Sequence, residues 1–319
     1  MLVTNAREPV TFSDNGKQVL PLMATLNDWV EGARLRTLPA AIAPVIVGTA
    51  SAIHMGAVAP VRAVLALVVA LALQIGANYS NDYSDGIRGT DDFRLGPARL
   101  TGGKLTAPKN VLIAALACFG IAGVAGLALL ALSGAWILLI PGILAVLATW
   151  FYTGGRTPYG YMGIGLSELF VFLFFGLMAC VGTTWTQIPQ APGWLWMLAS
   201  TLGFLSVALL MANNIRDIPT DRESGKRTLA VRLGDTTSRK VFTACFTLSV
   251  VTLAVLLFTL TYSWPLILVA LIITGFMNAP AVLPIARGET GARLIPVLRN
   301  TGLYTLAWAI EVSAFLLLA

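Results

Sequence analysis

Charge is what this sequence has least of. Asp, Glu, Lys and Arg make up 11% of its 319 residues, where a soluble domain carries about 25%. Apolar residues reach 57% and the mean hydropathy is +0.80. One water-exposed core cannot bury that much apolar surface, so an ordinary soluble domain is excluded and the bilayer must act as solvent. Cysteine is scarce too. Cys118, Cys180 and Cys245 sit in apolar runs without CxxC spacing, which argues against a disulfide or cysteine metal site and leaves them as small core residues. The single histidine, His54, ends an apolar run beside Met55 and Gly56 and is expected at the membrane interface, outside the chemistry.

The start of the chain is polar and has no charged region followed by a long apolar stretch. Residues 1–28 read as a mobile cytoplasmic tail, with a single transmembrane domain over 29–319. A spanning helix needs about 20 mainly apolar residues. Nine segments meet this, near 38–55, 61–81, 109–132, 135–152, 162–182, 194–214, 238–262, 265–286 and 299–319. Lipid leaves no backbone group unpaired, and nothing alternates as a barrel strand would. The expected fold is therefore all-α, a polytopic membrane protein of about nine transmembrane helices.

Of 21 Lys and Arg, 20 lie in the tail or near 82–108, 153–161, 214–238 and 286–299, and Arg62 alone lies on the other side. The positive-inside rule then puts the N-terminus and the charged loops in the cytoplasm, with the C-terminus outside. In a bacterium this is the cytoplasmic membrane. The net charge of +6 reflects topology and contact with anionic membrane lipid, with no nucleic acid among the partners.

Acidic residues gather at two helix ends. Positions 78–92 read NYSNDYSDGIRGTDD, with Asn78, Asp82 and Asp85 at steps of four and three; positions 213–227 read NNIRDIPTDRESGKR, with Asn213, Asp217 and Asp221 at steps of four. These steps put the side chains on one helix face. The two Asn-x-x-x-Asp copies lie 135 residues and four helices apart, which suggests two four-helix units plus a ninth helix. The acids are expected to follow the helices, where they repel the negative helix terminus and each other. Mg²⁺ resolves both conflicts, because it takes oxygen ligands and bridges carboxylates to phosphate. The expected ligands are Asn78, Asp82, Asp85, Asn213, Asp217 and Asp221. Arg88, Arg94, Arg99 and Lys104 after the first motif, and Arg222, Lys226 and Arg227 after the second, suit a phosphate, as do the two glycines of RLTGGKLT. Solvated loop ends are the plainer alternative for one motif; two matching motifs argue for a site.

Together with WVEGARLRTLPAAIAPVIVGTA and YTGGRTPYGYMGIGLSELFVFLFFG, these motifs resemble the UbiA superfamily of membrane prenyltransferases over nearly everything from Trp29 on. Within it the likeness is greatest to the menaquinone branch. The superfamily's first motif is usually Asn-x-x-x-Asp-x-x-x-Asp; here Gly86 holds the last position and the acid comes one residue earlier, as Asp85. Asp85, Asp91 and Asp92 compete for the third ligand position. The resemblance implies a bundle around a central cavity, with Mg²⁺ between the motifs and the tail of a polyprenyl diphosphate in a lipid-facing channel. It also implies ionisation to an allylic cation, attack by the ring of 1,4-dihydroxy-2-naphthoate, loss of CO₂ and formation of demethylmenaquinone. Another acceptor, such as 4-hydroxybenzoate or homogentisate, stays open. So does a divalent-cation or anion transporter, whose ligands would lie near the midplane and not at one face.

Asn78, Asp82, Asp85, Asp217, Asp221 and Lys104 form the expected catalytic set, with Lys104 acting on the diphosphate. Arg88, Asp91, Lys226 and Arg227 are expected at substrate. Glu168, in the fifth span, either contacts the aromatic acceptor or pairs with Arg156. Tyr152, with Tyr159 and Tyr161, either lines the cation site or belongs to the interfacial aromatic belt. Arg36, with Arg34, either reaches diphosphate or substrate carboxylate or anchors topology.

Overall fold

Proline opens several of the helices and glycine closes two of the longest. The computed structural model describes residues 24–90, 99–260 and 263–318. α1 (Leu26–Gly32) starts with a capping box in which the Thr25 hydroxyl accepts from the Asp28 N–H and the Asp28 carboxylate accepts from the Thr25 N–H. Helix thus begins within the expected 1–28 tail. α2 (Leu38–His54), α3 (Pro60–Arg88), α4 (Pro108–Ser133) and α11 (Trp264–Ala286) carry proline in the first turn, where its missing N–H would have had no partner. α3 and α4 stop at Gly89 and Gly134, whose φ of 72° and 70° favour glycine.

α5 (Leu139–Thr153) is followed by α6 (Leu166–Val171), which continues through a π-helical segment (Phe172–Met178) into α7 (Ala179–Gln187). α8 (Gly193–Glu223), the short α9 (Leu229–Leu233), α10 (Asp235–Leu260) and α12 (Ile295–Leu318) complete the order. Among the described residues, nine helical stretches are long and apolar enough to cross a membrane, in the places the sequence predicts.

α8 is the most buried of them. Its Leu195, Leu198, Leu202 and Leu205 pack into one core with Phe242 and Phe246 of α10 and Tyr304 and Trp308 of α12. The Trp308 Nε1–H donates to the Ser249 carbonyl at 3.1 Å, which satisfies the one polar atom of a fully buried indole. α8 crosses the π-helical segment at Gly203 and Gly176; a Cβ on Gly176 would stand 2.4 Å from Gly203 Cα. Val124, Ile140, Leu268 and Phe276 instead point outward, as a lipid-facing surface requires. Arg62 explains its own exception to the charge pattern: its guanidinium donates to the Thr186 and Leu132 carbonyls at two helix ends.

One expectation is corrected. The acids do not follow the helices: Asp82 and Asp85 lie inside α3, and Asp217 and Asp221 lie inside α8. Both helices run past their apolar stretch because tertiary partners, described next, take up the carboxylates that would otherwise oppose the helix terminus.

Candidate active site

The C-terminal halves of α3 and α8 border a chamber of about 230 Å³, with α2, α5 and α6 closing it. Asn81, Asp85, Asn213, Arg36, Arg99 and Lys226 supply polar wall; Tyr152, Phe170, Phe174 and Leu209 supply apolar wall. Arg34 adopts a left-handed backbone, φ 54° and ψ 61°, and this turn between α1 and α2 puts both Arg34 and Arg36 on the wall.

In the first motif two neighbouring acids have different tasks. Asp82 is 1% exposed, and its two oxygens accept the backbone N–H groups of Leu100 and Thr101 at 2.9 and 2.8 Å. It holds the 99–104 loop against α3. Gly86 permits that approach, since a Cβ there would lie 2.4 Å from Thr101 Cγ2 and 2.9 Å from Gly102 N. Asp85 instead receives Arg99 on Oδ2 at 3.0 Å and the Tyr161 hydroxyl on Oδ1 at 2.5 Å. Burial and the Asp85 carboxylate push the Tyr161 phenol above its ordinary range, so it stays a donor.

The expected metal ligands Asn78 and Asp82 are both held by hydrogen bonds within the protein. Both still border the chamber, but the Asn78 amide donates to Ala33 O at 2.9 Å and its oxygen takes a Gln74 N–H at 3.4 Å. These contacts tie α3 to the turn before α2. Asn81 is absent from the expected set although it stands four residues before Asp85, the spacing that selects Asn78 and Asp82. It lines the chamber, and its oxygen accepts from Thr153 Oγ1 at 2.9 Å.

In the second motif Arg216, 4% exposed, forks onto both oxygens of Asp217 at 2.6 Å and reaches the Asn213 oxygen at 2.8 Å. Spacing gave no sign of this internal counter-ion. Asp221 accepts from the Thr228 hydroxyl at 3.4 Å. Asp217 and Asp221 stand behind the chamber wall, with Asn213 and Arg216 on it. Lys226 lies between the motifs: its charge acts on Asp85 and on Asp221. Its ammonium stands 5.0 Å from the centre of the Tyr161 ring, and Arg88 lies 5.8 Å from the same ring. The Arg227 N–H donates to Tyr161 O at 3.1 Å, so the loops after α5 and α8 meet over the chamber.

Lys226, Arg36 and Tyr152 are on the chamber wall, but four other expected residues are not. Lys104 is exposed in a turn with φ 52°, and Arg227 points outward beside inward Lys226. The Arg88 guanidinium is held by the carbonyls of Thr153 and Gly155. Glu168 does not pair with exposed Arg156: both its oxygens are buried without a hydrogen-bond partner among the described residues. Asp91, Asp92 and Arg94 lie outside the described residues. Tyr152, Tyr159 and Phe170 form an edge-to-face series, 5.6 and 5.1 Å between ring centres, that makes the aromatic wall.

The candidate ligands that the two motifs offer are carboxylate and amide oxygens, a chemistry that suits a hard cation such as Mg²⁺. Among the described residues no three acids form a ready-made metal cage, and positive side chains hold the motifs instead.

Residues 41–293 match the model of the UbiA prenyltransferase family. The chain is 46% identical over 299 residues to 1,4-dihydroxy-2-naphthoate octaprenyltransferase of Mycobacterium tuberculosis, covering 92% of this chain and 98% of that one. Its fold is similar to that of a UbiA homologue from Aeropyrum pernix, with TM-score 0.64, 14% identity, and 87% and 97% of the two chains covered. It is also similar to a UbiA homologue from Archaeoglobus fulgidus bound to GPP and Mg²⁺, with TM-score 0.57, 16% identity, and 88% and 99% covered. With nine membrane-length helices among its described residues, two acidic motifs at one chamber and a family match over most of its length, this chain belongs to the UbiA prenyltransferase family.

Proposed function

We propose that this chain transfers a polyprenyl group from polyprenyl diphosphate to 1,4-dihydroxy-2-naphthoate with loss of CO₂, a step of menaquinone biosynthesis. The observation that carries this is the division of the chamber, with cations and oxygen donors at one side and an aromatic wall at the other. The mycobacterial relative carries the matching activity in its name, and the Archaeoglobus homologue binds a prenyl diphosphate with Mg²⁺.

On this reading Asn81 and Asp85 on α3 would hold Mg²⁺ from the chamber wall, and Asp217 and Asp221 on α8 would join them by turning from Arg216 and Thr228. When bound, the ion supplies Lewis-acid stabilisation of the leaving diphosphate. Lys226, Arg99 and Arg36 offer further N–H donors to the charge that develops there. The allylic C–O bond breaks with its electron pair on the diphosphate. The ring carbon bearing the carboxylate forms the new C–C bond. The bond to CO₂ then breaks, and its pair restores the aromatic ring, giving demethylmenaquinone in its reduced form. Tyr152, Phe170 and Phe174 keep water from the allylic cation and turn π density toward it.

Purified protein with Mg²⁺, labelled polyprenyl diphosphate and a panel of aromatic acids tests this by product mass and CO₂ release. Prenylated naphthoate with matching CO₂ is expected. Prenylated 4-hydroxybenzoate or homogentisate would reassign the acceptor, and metal-dependent ion flux without product would point to a transporter.

A further inference from the structure

α8 turns one face to the chamber, and that face ends in a cation. Ser206, Leu209, Asn213 and Arg216 recur along it at steps of three and four, and all four line the wall. Asp217 comes next in the chain but lies off the wall, with the Arg216 guanidinium across both its oxygens. An ion approaching the second motif from the chamber therefore meets the guanidinium before this carboxylate. The first motif is built the other way. Asp85 is itself on the wall, where Arg99 takes one oxygen and the Tyr161 hydroxyl the other.

Asp217 is 6% exposed and Arg216 4%. Separating so buried a pair leaves two uncompensated charges, a large cost unless each finds a new partner. Arg216 therefore leaves Asp217 only when another cation takes the carboxylate and another anion takes the guanidinium. A divalent metal arriving with a diphosphate supplies both, and a guanidinium forks onto phosphate oxygens as it does onto a carboxylate.

The guanidinium is also placed to make that exchange. The Asn213 oxygen holds Nη2 at 2.8 Å, at the wall. Nη1 meets no hydrogen-bond acceptor among the described residues. An anion in the chamber thus has a donor to engage before the fork on Asp217 opens.

Resting on the function proposed above, we infer that Arg216 passes between two anions. It shields Asp217 until the diphosphate of the donor enters the chamber. It then carries its fork to the phosphate oxygens and leaves Asp217 to the metal. Metal alone is confined to the α3 motif, and the second motif becomes a ligand only in the company of the diphosphate.

The test uses the full chain in nanodiscs of neutral phosphatidylcholine and reads binding. Mn²⁺ is followed by electron paramagnetic resonance, and inorganic pyrophosphate by calorimetry at saturating Mn²⁺. Arg216→Met should bind Mn²⁺ alone about ten-fold more tightly, because a competitor for Asp217 is gone, and pyrophosphate about ten-fold more weakly, because a donor to it is gone. Adding Asp217→Asn should abolish the gain for Mn²⁺. Arg216→Lys, which keeps the charge but cannot fork, should move both affinities in the same two directions by less, and it decides the matter should the methionine variant not fold. Mn²⁺ binding that is weaker or unchanged in the folded Arg216 variants, pyrophosphate binding that is unchanged, or a gain for Mn²⁺ that persists with Asp217→Asn would each overturn the inference and leave the proposed function standing. No pyrophosphate bound by the unsubstituted chain in Mn²⁺ would instead refute the proposed function, and this inference with it.

Discussion

Tyr161 and Asp85, 76 positions apart in the chain, meet in a 2.5 Å hydrogen bond from the phenol to Oδ1. The bond carries the loop after α5 onto the first acidic motif, and the Tyr161 ring stands between Arg88 and Lys226. Tyr161→Phe keeps the ring and removes the hydroxyl. A hydrogen bond to a charged group contributes about 1.5–3 kcal/mol, so the thermal midpoint should fall and turnover at saturating Mg²⁺ should drop about ten-fold or more. Initial rates and a melt in detergent check this; an unchanged rate would make the bond dispensable.

Asp82 and Asp85 should fail in different ways. Asp82→Ala orphans the N–H groups of Leu100 and Thr101, both in buried residues, at about 1–3 kcal/mol each. The expected result is a lower melting temperature along with lost turnover. Asp85→Asn, which keeps an acceptor for Arg99 and Tyr161, should lower the melt less than Asp82→Ala does and cut turnover about a hundred-fold or more, since a neutral amide replaces a charged donor oxygen. Equal destabilisation by both variants would contradict the division of roles.

Gly86→Ala should release the 99–104 loop, because the new Cβ would lie 2.4 Å from Thr101 Cγ2. Faster proteolysis between Arg99 and Lys104 and a loss of activity are expected. Gly86→Ala with Thr101→Gly should recover part of both, since it removes the side chain that collides. Absence of any recovery would shift the cause to Gly102 N, 2.9 Å away.

Orientation can be read by labelling. With the natural cysteines replaced, Glu223→Cys should resist an impermeant thiol reagent in intact cells, and Gln190→Cys should react. Both positions are exposed, at opposite ends of α8. The 20-to-1 split of basic residues motivates this direction, and the reverse labelling pattern would put the chamber on the far side of the membrane from its soluble substrate.

Much of the fold was legible in the sequence. Lipid accepts only helices of a set length and apolarity, so nine hydropathic runs become nine membrane-length helices among the described residues. The two acidic motifs were legible as well, because carboxylates and amides repeated at helical spacing beside apolar helices are costly unless something binds them. The sequence also marked Lys226, Arg36 and Tyr152, which the chamber wall contains.

Hydropathy did not reveal where α3 and α8 end, because it records the lipid boundary. A helix whose polar residues find tertiary partners continues beyond that boundary. Nor did spacing tell Asn81 and Asp85 from Asn78 and Asp82, since both pairs are four apart on one helix. Contacts from far along the chain decided between them. The 99–104 loop took Asp82, the turn before α2 took Asn78, and Tyr161 with Arg99 took Asp85. Local sequence fixes the face a side chain shares with its neighbours. Which partner reaches that face depends on how the helices pack.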